Sequence, residues 1–326
     1  MTNAVIDIPV GDRVYGFTAL FMGRTALTAA VQDILGKRSI ATVWVPDYCC
    51  SSVIYPFTDL GCTDIAFYHV GLSPHGFSLE LSDFCPRRGD VIYYCDYYWF
   101  DARLYEAILA KRNGATLIHD LTHSLLDPAL SIDADDYAIV SIRKWFALTQ
   151  GGLLYAKEPF IVPLQPTTSY YSRLKARSRY FRDLYRTNGN PENFRLYREY
   201  SDKADREAES RYAGLPMRDE ELQFLLEVDW EALRREKEEF SGRILRSLSD
   251  LGLDMSFSAA FTPRFSIPCF CEDSEALLER LQSHRVKCAR FWDLFEDFDS
   301  PLSKTNVSIE ISAYNCRRLE AWEEPS

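Results

Sequence analysis

Short apolar runs alternate with helical stretches through the first half of the chain. Strands are predicted over 40–45, 64–70, 91–95, 116–119, 137–141 and 152–156, and helices over 26–35 and 104–112. Apolar strands that alternate with helices are typical of a mainly parallel sheet covered by helices on both faces. The spacing predicts about seven strands, and therefore an α/β domain.

The pattern changes after Pro166. Residues 170–212 contain seven tyrosines and eleven Lys or Arg with almost no aliphatic periodicity, whereas residues 220–251 predict one long amphipathic helix. A strand over 264–270, a helix over 274–282 and a strand over 307–311 follow. We therefore predict a large α/β domain over residues 1–215, with a Tyr/Arg-rich insertion at about 166–215. Residues 216–326 are predicted to form a long connecting helix and a small C-terminal α/β domain.

Composition narrows the classes of partner. Of the 326 residues, 47% are hydrophobic, which is enough for a sizeable core, and the net charge is −11. That charge argues against nucleic acid or an anionic membrane as the main partner, although small anionic ligands stay open. No apolar run is long enough to span a membrane, and the N-terminal segment lacks a signal-peptide pattern.

The nine cysteines are scattered along the chain and are interpreted as reduced thiols of a cytoplasmic protein. Cys269 and Cys271 have no second pair nearby, so no metal site is predicted.

Candidate chemistry begins at Gly23-Arg24-Thr25-Ala26-Leu27, where a glycine and a threonine open a helix. The free backbone N–H groups and the dipole of a helix start can bind an anion. An ordinary helix N-cap is the alternative interpretation.

A second candidate segment is Ile118-His119-Asp120-Leu121-Thr122-His123, in which an apolar strand ends in Asp120 and His123 follows three residues later. Ligands of open α/β sheets bind at the carboxyl ends of the strands. The alternative makes Asp120 a helix N-cap and His123 a surface residue.

The next strand is followed by Ser141, Arg143 and Lys144, directly before Trp145 and Phe146. A lysine among aromatic residues is expected to be desolvated, which lowers its pKa and makes it a nucleophile for carbonyls. Arg143 would disfavour the ammonium further and could bind phosphate. A lysine that extends its amine to solvent at a strand end is the alternative.

A glycine pair, Gly151 and Gly152, follows and allows a close approach of the backbone. A phosphate-binding helix start, a strand-end carboxylate and a desolvated lysine together describe a site for pyridoxal 5′-phosphate (PLP). The lysine would form a Schiff base, and the carboxylate would keep the pyridine nitrogen protonated so that the ring acts as an electron sink.

These segments resemble the DegT–DnrJ–StrS family of PLP-dependent sugar aminotransferases, which have the aspartate-aminotransferase (type I) fold. Gly23-Arg24-Thr25-Ala26-Leu27 resembles the family's phosphate-binding turn "GTxAL", and IHDLTHS resembles "IEDAAHA". SIRKWFALTQGG resembles the family's lysine segment, with Lys144 seven residues before Gly151. The resemblance extends to the long helix and to the small C-terminal domain.

The resemblance implies roles for individual residues. Gly23, Arg24 and Thr25, with Ser141, would hold the cofactor phosphate, Asp120 would meet the pyridine nitrogen, and His123 would support the ring or Asp120. Cys50 stands where the family places an aromatic residue against the cofactor ring, and Tyr48 lies close to it in sequence.

The resemblance thus implies a homodimeric aminotransferase of sugar biosynthesis that uses Lys144 to move an amino group from an amino acid to a nucleotide-linked keto sugar, and the reduced cysteines indicate the cytoplasm. A PLP-dependent lyase or dehydratase, an amino-acid aminotransferase and a non-catalytic binding protein remain alternatives. The Tyr/Arg-rich stretch is either a solvated helical insertion or part of the acceptor site, with Arg177 and Arg179 acting beside Arg143.

Overall fold

A computed structural model describes residues 4–73, 76–146, 148–159, 169–211, 215–290 and 301–322. Within them, strands β1 to β12 span Val5–Val10, Arg13–Leu20, Val43–Pro46, Ile65–Ser73, Gly76–Glu80, Val91–Cys95, Thr116–Asp120, Tyr137–Val140, Gly152–Ala156, Ser266–Phe270, Cys288–Ala289 and Asn306–Glu310. Helices α1 to α11 span Gly23–Lys37, Tyr55–Thr58, Ala102–Lys111, Ser169–Asn188, Pro191–Arg211, Asp219–Leu226, Trp230–Asp250, Ser256–Ala259, Ser274–Ser283, Pro301–Thr305 and Ala313–Glu320. Single 3₁₀ turns occupy Ser51–Val53 and Ile142–Lys144.

The large sheet has nine strands in the order β1-β2-β9-β8-β7-β6-β3-β4-β5. Its centre, from β8 to β4, is parallel, and β9 runs antiparallel beside β8. All six strands predicted in this region are present, and the α/β class is confirmed. The expected total of seven strands is wrong, because β1, β2 and β5 were missed. β1 alternates exposed and buried residues at one edge of the sheet, and β5 is a short strand at the other edge, so neither presents a continuous apolar run.

Both faces of the sheet are covered. All of β8 is buried, and its side chains divide between two apolar clusters: Ile139 joins one, whereas Ala138 and Val140 join the other. Side chains alternate between the two faces of a strand, so the clusters lie on opposite faces of the sheet.

The Tyr/Arg-rich stretch forms the paired helices α4 and α5, which confirms that it is helical. Tyr171, Leu174 and Ala204 of this helical hairpin pack against Phe21 and Met22, directly before α1. Residues 166–168 and 212–214 of the predicted insertion lie outside the described residues.

The single long helix predicted over 220–251 is instead two helices, α6 and α7. They are separated at residues 227–229, where the side chain of Asp229 accepts a hydrogen bond from the Ala232 N–H at 2.9 Å and caps α7. A three-stranded sheet in the order β10-β12-β11 follows and shares an apolar core with α7, α9 and α11.

This small sheet contacts the large one through buried polar groups. Asn306 Nδ2, on β12, donates to Tyr48 Oη at 2.6 Å, and the hydroxyls of Tyr98 and Ser308 lie 2.7 Å apart. Tyr48 and Tyr98 follow β3 and β6, so the small sheet rests against the edge where these parallel strands end. No helix in the described part of the chain is both long and apolar enough to cross a membrane.

Candidate active site

A cavity opens at the carboxyl ends of the central parallel strands, beside the start of α1. It brings together most of the residues singled out in the sequence: Gly23, Arg24, Cys50, Asp120, His123, Ser141, Arg143 and Lys144. Four others do not line it: Thr25, Tyr48, Arg177 and Arg179. Strand ends and a helix start that are far apart in sequence therefore meet at one place.

The start of α1 is free of a side-chain cap. Met22 precedes the helix and its side chain makes no capping hydrogen bond, so the positive end of the helix dipole lies at the cavity without a capping oxygen from that residue. A Cβ on Gly23 would lie 2.9 Å from the Cβ of Ser141, so only glycine lets the serine approach this closely. Thr25 is fully buried, and its Oγ1 has no hydrogen-bond partner among the described residues.

Asp120 ends β7 and is held by two neighbours. Tyr93 Oη donates to Asp120 Oδ2 at 2.6 Å, and both the N–H and the hydroxyl of Thr122 contact Oδ1, the N–H at 2.8 Å. Thr122 Oγ1 also accepts the Ser141 N–H at 2.9 Å. The carboxylate is therefore oriented, and the same threonine connects it to the strand end that carries the lysine.

Lys144 is exposed, so the expectation that aromatic neighbours bury it is wrong. Residues 142–144 form a 3₁₀ turn, whose three residues per turn send successive side chains in different directions. Trp145 turns inward and donates from Nε1 to the Thr122 carbonyl at 2.8 Å, whereas Phe146 packs edge-on against Phe224. The lysine amine is left facing the cavity, as a nucleophile or a proton carrier requires.

His123 is buried beside this amine. Burial lowers the pKa of His123 well below its ordinary value, and the charge of Lys144 lowers it further, so the ring is neutral at neutral pH. Its imidazole stacks on Phe265, with centroids 4.3 Å apart and planes at 16°. The surface position considered for His123 is therefore wrong.

Three of the remaining predicted residues lie away from the cavity. Tyr48 is fully buried and stacks on Tyr97, with ring centroids 5.5 Å apart. Its neighbour Cys50 does line the cavity, with Sγ 3.0 Å from Ser52 Oγ. Arg177 lies over the ring of Tyr200 on α5, at 5.6 Å. Arg179 donates to the backbone carbonyl of Leu148.

A buried charged group next to the site was missed in the sequence. His119 lies between Asp96 Oδ2, 3.0 Å from Nε2, and Asp135 Oδ2, 2.9 Å from Nδ1, while Tyr105 Oη donates to the other oxygen of Asp135 at 2.6 Å. Burial alone would lower the pKa of His119, but the two carboxylates outweigh it and raise the pKa to about 10. The residue is an imidazolium. The adjacency of His119 to Asp120 was the only sequence signal.

Tyr93 and Thr122 were also missed as contacts of Asp120. Both lie within a few residues of predicted strand ends, but which of them reaches the carboxylate depends on the register of β6 against β7, where Cys95 pairs with Asp120. Spacing along one strand cannot supply that register.

Comparisons with known proteins support the fold. No protein-family model matches the sequence, and no curated protein matches it. Among solved structures, TlmJ, an aminotransferase from Streptoalloteichus hindustanus, shares 11% identity at a TM-score of 0.59, over 93% of this chain and 83% of its own. The chain has the fold of PLP-dependent aminotransferases.

Two further structures extend the likeness. 3-Amino-5-hydroxybenzoic acid synthase shares 17% identity at a TM-score of 0.56, over 94% of this chain and 84% of its own. Spr1654 of Streptococcus pneumoniae, a proposed sugar aminotransferase in its PMP form, shares 12% identity at a TM-score of 0.58, over 94% of this chain and 84% of its own. At these identities the likeness concerns the fold alone.

The residues present fit PLP. An uncapped helix start with the hydroxyl of Ser141 packed against it suits a phosphate, and the glycine at position 23 allows the serine to pack there. The cofactor also requires a carboxylate and an amine on the same cavity, and Asp120 and Lys144 supply them.

Proposed function

We propose that this protein is a PLP-dependent aminotransferase that moves an amino group from an amino acid to a nucleotide-linked keto sugar. The observation that carries the proposal is that Lys144, Asp120 and the start of α1 with Ser141 meet on one cavity in this fold. When bound, PLP supplies an aldehyde that condenses with amines and a ring that accepts electrons from the bond being broken.

Each residue has a role that follows from its surroundings. Lys144 Nζ, exposed to the cavity, would bind the aldehyde and then take and return the proton that moves during the reaction. Asp120, oriented by Tyr93 and Thr122, would hold negative charge against the ring nitrogen. The start of α1 at Gly23 and Arg24, with Ser141, would hold the phosphate.

Neutral His123 would support this arrangement without adding charge. Its low pKa keeps it uncharged, so it places no second positive charge beside Lys144. Phe265 covers one face of the imidazole and keeps water from it.

The keto-sugar acceptor rests on the resemblance of the motif segments to sugar aminotransferases and on the likeness of fold to Spr1654. An amino-acid aminotransferase, or a lyase or dehydratase, would use the same lysine and carboxylate. A homodimer in the cytoplasm belongs to the same proposal, and sedimentation velocity of the purified protein tests the dimer.

The test separates these reactions. Purified protein is saturated with PLP, excess cofactor is removed, and the absorption spectrum is followed as glutamate, glutamine and other amino acids are added singly. A spectral change that is reversed by a nucleotide-linked keto sugar, as well as by the keto acid that corresponds to the donor, supports the proposal. Reversal by keto acids alone would indicate an amino-acid aminotransferase.

Two other outcomes contradict the proposal. Release of ammonia and a keto product without any acceptor would indicate a lyase or dehydratase. Retention of PLP with no spectral response to any donor would favour the non-catalytic binding protein.

A further inference from the structure

A cluster of cations surrounds one buried tyrosine beside the cavity. Tyr171, on the first turn of α4, is 1% exposed and packs edge-on against Phe21 with centroids 4.7 Å apart. Lys175 Nζ lies over its ring at 5.9 Å. Arg179, on the same helix, donates to the Leu148 carbonyl in the loop that follows Lys144. Burial raises the pKa of Tyr171, the charges of Arg143, Arg179 and Arg24 oppose that rise, and Asp205 adds to it.

Lys175 and Arg143 differ in whether a carboxylate pairs with them. Lys175, whose side chain is 12% exposed, pairs with Asp205 at 2.7 Å. Arg143 has no ion-pair partner among the residues that the structure describes, and its Nε is buried without a hydrogen bond. Burial lowers the pKa of Lys175, and the nearby Arg143 and Arg179 lower it further. The charge of Arg143, at the edge of the cavity and without a carboxylate of its own, is one that a bound anion would stabilise.

Contacts with the backbone hold the cluster in position. A Cβ on Gly151 would lie 3.1 Å from the Arg143 nitrogen and 3.4 Å from its Cβ, so this glycine lets the loop close against Arg143. Gln150, fully buried in the same loop, donates to Ser172 Oγ on α4 at 2.8 Å. The loop that follows Lys144 and the helix that carries Lys175 are thus connected.

We propose that Arg143, Lys175 and Arg179 form an anion subsite, separate from the phosphate site of the cofactor, that takes the phosphate or diphosphate group of the acceptor. Arg143 lines the cavity beside Lys144 and so connects the subsite to the reacting end of the substrate. Guanidinium and ammonium groups bind phosphate oxygens through charge-assisted hydrogen bonds. This inference rests on the proposed function for the identity of the ligand, but not for the presence of the subsite.

Arg177 provides a matched control. It belongs to the same helix as Lys175 and Arg179 and carries the same charge as Arg179, but it lies over the ring of Tyr200 on α5, with Nη1 3.5 Å from Tyr200 Oη. A non-specific effect of positive charge on α4 would therefore be lost equally in Arg177→Gln and in a variant of the cluster.

The experiment is calorimetric titration of inorganic pyrophosphate into full-length protein, with and without saturating PLP. We expect binding in both forms, about tenfold weaker in Arg143→Gln and in Lys175→Gln and unchanged in Arg177→Gln. Asp205→Asn removes the carboxylate that competes for Lys175 and should bind several-fold more tightly. An increase in affinity cannot come from misfolding, so this variant guards against that explanation.

Three results would overturn the subsite. Equal affinities in all variants would show that the cluster binds nothing, and binding that PLP abolishes would show that the cluster serves the cofactor phosphate. If Asp205→Asn bound pyrophosphate no more tightly than the wild type, Lys175 would have no part in the subsite. Failure of the proposed function gives another result. A protein that binds no PLP but still binds pyrophosphate through Arg143 and Lys175 would support the subsite and contradict the aminotransferase.

Discussion

The ring of Phe265, at the entry to the small C-terminal sheet, lies nearly parallel to the imidazole of His123 at a centroid distance of 4.3 Å. The two residues are far apart in sequence, and one belongs to the cavity while the other precedes β10. The small sheet therefore contributes to the environment of the candidate site, and it does so at the residue that lies beside Lys144.

Removing this cover should change the titration of His123. In Phe265→Ala water reaches the ring, so the desolvation that depresses its pKa weakens and the pKa should rise toward the ordinary value of about 6.5. Imidazole NMR signals followed against pH measure the change. Phe261→Ala is the control, because Phe261 stacks on Trp99 at 4.3 Å. An unchanged His123 titration in Phe265→Ala would show that other groups keep the ring dry.

Lys144 is expected to be the residue that carries the cofactor, because its amine faces the cavity that also holds Asp120 and Ser141. Borohydride reduction of the PLP-bound protein, followed by peptide mapping, should find the pyridoxyl group on Lys144. Lys144→Arg should lose both the label and the turnover, while Lys157→Arg should keep both. A label on Lys157 or Lys175 would contradict the assignment.

Asp120→Asn is expected to fold, to bind PLP more weakly and to lose roughly 10²–10³-fold in the rate of the donor half-reaction. The substitution keeps one acceptor oxygen for Tyr93 or Thr122 but removes the negative charge. Stopped-flow absorbance with a saturating donor measures the rate. Asp136→Asn, directly before β8 and not on the lining of the cavity, is a control for the removal of one carboxylate. A donor rate within about twofold of wild type would exclude the electrostatic role.

Because of His119, the free energy of unfolding is expected to fall as the pH becomes alkaline. Its folded pKa of about 10 lies above the ordinary value, so the stabilisation is complete below about pH 6.5 and is lost as the pH rises through about 10. His119→Phe leaves Asp96 and Asp135 buried without their cation and should cost about 3–5 kcal/mol of unfolding free energy near neutral pH.

Denaturant unfolding at several pH values from about 6 to about 10 measures both effects. The wild type should lose its advantage over His119→Phe across this range, whereas the exposed His284→Asn should track the wild type. A difference between wild type and His119→Phe that stays constant with pH would show that His119 is neutral in the folded protein.

The order of elements and the two chemical segments could be read from the residues alone. Asp120 and Lys144 each follow a buried apolar run, and parallel strands bring their carboxyl ends to one edge of a sheet. The helix start at Gly23 was predicted for the same kind of reason, since the pattern that begins a helix is local. Edge strands such as β1 were not predicted, because their side chains alternate between solvent and core and form no continuous apolar run.

Packing between distant segments decided the rest. Spacing placed Lys144 among aromatic residues, but a single 3₁₀ turn sends Trp145 inward and leaves the amine exposed. Arg177 and Arg179 have the same charge and neighbouring positions, yet one meets Tyr200 and the other Leu148. The sequence by itself determined which elements form and which side chains end the strands, because those depend on neighbours along the chain. Only the tertiary structure decided which side chains meet, because contacts such as His123 with Phe265 depend on how the helices and the small sheet pack on the large one.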